Sequence, residues 1–302
     1  MALARRPPRH RGMSAQAEFR RTAFWLLLPA TLGLTVFTFA PIAYALWVSF
    51  QDYQLLSGAS GWVGLSNYRH LFDDSRFVKS VGTAAMYTAM TLAAQVTLGL
   101  GLAVLVNQRV RGLTLFRTVY FLPVVASFVV MAAVWKSMYA QSGIFNTLLL
   151  TVGLEPQPFL QSAQEALPSI AALGVWKFVG FNMLVFLGGL QAIPADIYEA
   201  AGIDGAGPLR RFVSITLPLL KRVLLFVVVI TTIESFKVFT SVYLMTAGGP
   251  QESTNTIVYQ IFLTGFRYYD MGYATAMSFA LMAFVLVLMA AQFRMLRTDV
   301  EY

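Results

Sequence analysis

The sequence predicts an all-α polytopic membrane protein with six transmembrane helices and both termini in the cytoplasm. Three observations predict it. Of 302 residues, 57% are hydrophobic and only 12% charged, with a mean hydropathy of +0.65, whereas an average soluble domain is roughly 25% charged. Several uncharged stretches exceed the ~17–25 residues that a helix needs to cross a bilayer. Lys and Arg, finally, are shared unequally between loops on alternate sides. This composition excludes an ordinary cytosolic enzyme, a disordered chain and a disulfide scaffold. The absence of Cys also removes thiolate metal sites, thioether-linked haem and a Cys nucleophile. No apolar run alternates as the strands of a membrane β-barrel would.

The spans follow in order. Residues 1–21 form a basic tail with Pro7-Pro8 and Gly12, expected to be flexible. The first helix covers 22–50, with Pro29 and Pro41 expected to bend it. An outer loop (51–77) carries Gly58, Gly61, Gly64 and the pair Asp73-Asp74. The second helix runs about 78–106 and the third about 118–139, joined by a short basic loop. An outer segment (141–166) without Lys or Arg precedes the fourth helix (167–192). A polar inner segment, centred on 194–218, leads to the fifth helix (223–246). The outer segment 247–270 opens with Gly248-Gly249-Pro250, and the sixth helix (271–293) ends in a short tail, 294–302. The core is thus 78–293.

The net charge of +8 could point to nucleic acid, but its distribution reads as topology. Arg5, Arg6, Arg9, Arg11, Arg20, Arg21, Arg109, Arg111, Arg117, Arg210, Arg211, Lys221, Arg222, Arg294 and Arg297 fall inside; only Arg69, Arg76, Lys79 and Arg267 fall outside. That is the positive-inside bias. No nucleic acid is expected as a partner. A cleaved signal peptide ending at Ala43-Tyr44-Ala45 is rejected, because the apolar run far exceeds a ~7–15-residue signal core.

Intramembrane enzyme chemistry finds no footing. The two His, His10 and His70, cannot form an H-E-x-x-H zinc helix. Gly58-Ala59-Ser60-Gly61 matches an intramembrane serine-protease pattern, but it lies in a loop and reads as a turn. No Lys follows a Gly, so there is no phosphate loop for ATP.

The most informative stretch is Pro194–Pro218. Ala195–Ala201 is expected to form a short helix, Gly205 with Gly207-Pro208 a turn, and Arg210–Thr216 a second helix entering the fifth span through Pro218. A plain helix connection needs only about two to eight residues, so this length reads as a docking element or, more blandly, as a long amphipathic loop. Glu199-Ala200-Ala201, then Gly205 after three residues, then Ile215-x-Leu217-Pro218 after nine, resembles the EAA loop of ABC-importer permease subunits. Gly189-Leu190-Gln191-Ala192-Ile193-Pro194 is similar to the helix ending that precedes it. Phe236-Lys237-Val238-Phe239, Tyr243, Gly248-Gly249-Pro250 and Gly272-Tyr273-Ala274-Thr275-Ala276 resemble the carbohydrate branch, in its maltose-permease-F-like or glycerol-phosphate-permease-A-like half. The resemblance runs from about Phe24 to the C-terminus, without the large extra periplasmic domain of the maltose protein.

That resemblance implies the type I ABC importer transmembrane-domain fold in a prokaryotic inner membrane. It also implies the partners: a second, G-like permease, two copies of a cytoplasmic ABC ATPase and an external solute-binding protein. ATP and Mg would sit on the ATPase, leaving this chain without a cofactor or metal and without catalysis of its own. Glu199 would make a charged contact with the ATPase, Ala200 and Ala201 would permit close packing, Gly205 would supply the turn, and Asp204 and Arg210 complete the expected coupling set.

A charge at a helix centre costs roughly 2.5–3.5 kcal/mol on insertion scales, so it faces a cavity or a partner. Lys177, Asn182, Glu234, Phe236, Lys237 and Tyr243 are the candidate lining of a translocation path. Glu234 and Lys237, spaced i,i+3, can pair directly, either as a buried self-neutralising pair or as part of that path. Such pairing would leave Lys177 unpaired and favour an anionic or phosphorylated solute. Lys136 is expected to snorkel. The function expected is import of a sugar or related polyol. A glycerol-phosphate-type subunit is the near alternative; an ion-coupled secondary transporter using Glu234 is the distant one.

Overall fold

The computed structural model describes residues 12–58, 60–108 and 112–296, without the side chains of 12–16 and Leu296. The predicted tail residues Arg5, Arg6, Arg9, His10 and Arg11, the loop residues Ala59, Arg109 and Arg111, and Arg297 lie outside the described residues. Among the described residues, four helices are individually long and apolar enough to span a membrane, and the number is six when each of two bent pairs is taken as one span.

The first span is α1 (Gly12–Leu34), a π turn (Thr35–Phe39) and α2 (Ala40–Val48). Helix thus begins at Gly12, ahead of the predicted start at 22. Pro41 has no N–H to offer the preceding turn, and the backbone widens into the π turn just before it. None of the span's apolar window is buried within the chain. A two-stranded hairpin, β1 (Gln51–Tyr53) and β2 (Ser60–Trp62), follows in antiparallel register, Gln51 opposite Trp62. Of the protease-like stretch, Gly58 precedes β2 and Ser60 and Gly61 lie within it. Short α3 (Ser66–Asp73) then leads into α4 (Ser75–Val106), whose N-cap Asp74 accepts from the Arg76 amide at 2.8 Å.

The third span is not one helix. α5 (Leu113–Val125) and α6 (Phe128–Met138) meet at 98° across extended Ala126 and Ser127. α7 (Ile144–Thr151) lies in the following segment, where buried Asn146 bonds the backbone of Gln157 in both directions. α8 (Ala166–Gln191) is the central helix, with 61% of its window buried. A helix apolar all round belongs inside a bundle, and its small residues permit close approach. At Gly180 any Cβ would collide with the Tyr120 carbonyl of α5, and at Gly174 it would come within 2.5 Å of the Tyr87 hydroxyl of α4.

α9 (Ala195–Ile203) and α10 (Pro208–Arg211) form the predicted helix–turn–helix. A π turn (Phe212–Thr216) and α11 (Leu217–Leu219) carry the chain, through a 67° bend, into α12 (Lys221–Phe236). The fifth span was predicted to continue to 246. Instead α12 stops at Phe236, and the chain resumes after a break in a π turn (Val242–Thr246). α13 (Ile257–Phe262), another π turn (Leu263–Arg267) and α14 (Met271–Leu296) complete the fold. α14 packs on α12 and α13 and, at its start, on β1, where Gly272 lies against the Gln51 carbonyl. The Tyr273 hydroxyl donates to Asp74 at 2.8 Å. The core therefore lies along α4, α8 and α12. The 194–218 segment occupies one end of the bundle, and the hairpin, α3 and the 247–270 segment the other.

Candidate functional site

Two regions gather the candidate residues. The first is the α9–α10 segment. Gly205 has φ +74°, a left-handed conformation that costs an L side chain about 1–2 kcal/mol, and this lets the chain reverse after α9. The Ala206 amide donates to the Ala201 carbonyl at 2.9 Å, and Tyr198 and Thr216 join their hydroxyls at 2.9 Å across the motif. Glu199, Ala200, Asp204, Gly205 and Arg210 are all exposed on its outer surface. Ala201 is not: it is 8% exposed and turned into the chain, so it offers little of the outward surface that the expected close packing requires. Two apolar residues the sequence did not single out stand beside it, Ile203 at 89% and Leu209 at 76% exposed. Exposed aliphatic side chains next to an acidic residue and a tight turn make a surface suited to burial by another protein.

The second region is the polar interior between α4, α8 and α12. Asn182 donates to Gln95 Oε1 at 3.0 Å and to Thr231 Oγ1 at 3.3 Å. Gln95 Nε2 reaches the Gly174 carbonyl at 3.3 Å, and Thr91 and Ser235 share a hydrogen bond of 2.8 Å. This network backs a cavity of about 40 Å³ lined by Gln95, Asn182, Thr231, Glu234, Phe178 and Phe181 among others. That is room for a few waters at most. Glu234 and Lys237 form an ion pair of 2.9 Å at the cavity's rim. Both are exposed, so the expectation of a pair buried between helices is corrected. Lys237 caps the C-terminus of α12, its amide bonded to the Ile233 carbonyl at 3.2 Å. A cation there also complements the helix dipole.

Lys177 and Phe236 are elsewhere. Lys177 is 4% exposed, and its ammonium donates to the carbonyls of Pro123, Val124 and Ala126 at 2.7, 3.0 and 2.7 Å. Those are carbonyls left open where α5 ends and the chain turns into α6. Lys177 is therefore a capping group and not an unpaired cation, and it no longer favours an anionic solute. It lies on a different face of α8 from Asn182. Phe236, 2% exposed, packs against Ala84, Ile257 and Phe284; it is core. Lys136 does not snorkel freely but donates to the Leu244 carbonyl at 2.9 Å.

Tyr243 belongs to a group that the sequence showed only in part. Its ring stacks on Phe239 at 5.4 Å and 19°, and both meet Phe262, which stacks on Phe266. Tyr243 and Phe266 are exposed. The i,i+4 spacing of Phe262 and Phe266 was a visible signal; their meeting with Phe239 depends on the break in the fifth span. Gln95 was also missed, although an amide within an uncharged span is itself a signal.

Comparisons with known proteins converge. Residues 95–297 match the family described as "Binding-protein-dependent transport system inner membrane component". The trehalose/maltose transport system permease protein MalF of Thermococcus litoralis is 34% identical over 280 residues, 91% of this chain and 94% of that protein. The sn-glycerol-3-phosphate transport system permease protein UgpA of Yersinia pestis is 34% identical over 281 residues, covering 92% and 95%. The probable ABC transporter permease protein YesP of Bacillus subtilis is also 34% identical, over 85% and 84% of the two chains. Among solved structures, a bacterial ABC transporter that imports the acidic polysaccharide alginate matches with a TM-score of 0.83 at 21% identity, over 96% and 99% of the chains. It shares the type I ABC importer transmembrane fold.

Proposed function

Since the chain belongs to the family of binding-protein-dependent transport system inner membrane components, we propose that it forms one half of a translocation pathway for a neutral sugar or related polyol. The family places it in the membrane as a multi-pass permease. The finer statements are ours: the solute, the residues that meet it, the sidedness and the partner set.

The observation that carries the solute class is the lining itself. The surface around this small cavity presents an amide pair, hydroxyls, aromatic rings and the Lys237-paired Glu234 carboxylate, with no Lys or Arg among the lining residues. Elsewhere on the chain, Tyr243 and Phe266 offer exposed rings. Hydroxyl-rich solutes are held by such hydrogen-bonding groups and flat apolar surfaces. The sugar and glycerol-phosphate relatives are equally similar, and with Lys177 occupied by backbone carbonyls the chain's interior favours the neutral solute. An ion-coupled carrier loses its support, because Glu234, its candidate proton site, is engaged by Lys237.

In this reading the α9–α10 segment faces the cytoplasm and seats Ala200, Ile203 and Leu209 in a groove of an ABC ATPase, with Glu199 and Arg210 as charged contacts. ATP and Mg bind there, not on this chain. A G-like second permease covers the first span, none of whose window is buried in its own chain. An external solute-binding protein delivers the solute, and ATP binding shifts the population between outward- and inward-facing states. The test is Gly205→Leu in the reconstituted importer. It should keep the subunits assembled and basal ATP hydrolysis measurable, while solute-stimulated hydrolysis falls at least tenfold. Normal stimulation in that variant would sink the coupling assignment.

A further inference from the structure

Behind the α9–α10 segment lies a cavity of about 320 Å³ that the transport path does not use. Its walls are Val104 and Asn107 at the end of α4, Leu190 at the end of α8, Tyr198 of α9, and Arg211 and Phe212. Arg211 is held in place. Its Nε donates to the Ala206 carbonyl at 2.6 Å, and its guanidinium rests on Gly202, where any Cβ would come within 3.2 Å of Nη2. The two terminal nitrogens have no hydrogen-bond or ion-pair partner among the described residues. The nearest carboxylates in sequence, Asp196, Glu199 and Asp204, are exposed and form no ion pair with it.

A fixed guanidinium with free terminal nitrogens matches two oxygens of a phosphate better than any point charge does. The other walls are mostly apolar (Val104, Leu190, Phe212), as carbon attached to that phosphate would require. The position is where α4 and α8 leave their apolar spans, the depth at which basic pockets meet lipid head groups. We propose that this cavity binds a phosphate ester, and that its source is an anionic phospholipid of the cytoplasmic leaflet. The source, though not the phosphate chemistry, rests on the orientation given under the proposed function. A ligand held there touches α4, α8, α9 and α10 together, and so ties the coupling segment to the bundle.

The test uses the importer purified with its partner subunits in detergent and stripped of lipid. Dioctanoyl-phosphatidylglycerol is titrated in, and bound lipid per complex is read by native mass spectrometry. Saturable binding of one lipid per copy of this chain is expected. Arg211→Gln should raise the half-saturating concentration at least tenfold. Because that change also frees the Ala206 carbonyl, Val104→Phe serves as the second variant: it fills the cavity, leaves Arg211 in place, and should weaken binding as much. Thermal unfolding of both variants checks their fold. Displacement of the lipid by inorganic phosphate supports the site and reassigns its source to a free phosphate; resistance to phosphate supports the lipid. Equal lipid occupancy in the parent protein and folded Val104→Phe overturns the proposal. Solute-stimulated ATP hydrolysis in the same preparation reports separately on the transport reading, and its absence leaves the binding measurement intact.

Discussion

Lys177 shows how a single residue changes meaning when its neighbours are known. A cation within an apolar span is costly unless partnered, so a functional reading is the reasonable one from sequence. Its partners prove to be three carbonyls of a helix end, contributed by Pro123, Val124 and Ala126 more than fifty positions away. Removing the ammonium strands those acceptors, at about 1–3 kcal/mol or more. Lys177→Met is accordingly expected to lower the thermal unfolding midpoint clearly, while the solute concentration that half-saturates uptake stays within twofold. A large shift in that concentration with unchanged stability would return Lys177 to the pathway. Asn182 and Glu234, by contrast, do line one cavity, since both lie on the surfaces where α8 and α12 meet.

At the scale of elements, breaks in the helices carry most of what is new. The third span turns through 98° at Ala126-Ser127, and the fifth stops at Phe236. The fifth-span break at 237–241 holds neither Gly nor Pro, so propensity gave no warning there, whereas Pro123 in the last turn of α5 stands three residues before the third-span break. Helix packing holds the bent arrangement together, and the tightest approach is α5 on α8 at Gly180. Gly180→Ala is expected to destabilise the protein by about 1–3 kcal/mol, since a Cβ meets backbone there and neither helix can yield cheaply. Gly101→Ala is the matched control, with nothing within 4 Å of the added carbon. Thermal unfolding of the two variants side by side measures the difference; equal midpoints would mean that α5 is free to move away. The α9–α10 segment was more legible: its turn uses the left-handed conformation of Gly205, and Glu199, Asp204 and Arg210 stand exposed, whereas Arg211 turns into the cavity behind it.

At the scale of the whole molecule, the charge bias sets an orientation that the fold itself does not display. The absence of Cys makes this directly measurable, because each introduced thiol is the only one in the chain. Gln108→Cys, exposed in the predicted inner loop and outside the α9–α10 segment, should react with a membrane-impermeant maleimide only after cells are opened, and Gln161→Cys should react in intact cells. The reverse pattern would invert the orientation, and with it the placement of the coupling segment.

The sequence by itself determined the membrane setting, the apolar spans and the helix–turn–helix within 194–218. Those follow from composition, charge placement and short-range spacing, which act locally along the chain. Which polar residues share a cavity, which cation caps a helix end, and where a span breaks were decided by the tertiary structure. The reason is physical: a buried charge or amide is stabilised by whichever donors and acceptors packing brings within about 3 Å, and those groups come from helices far apart in sequence.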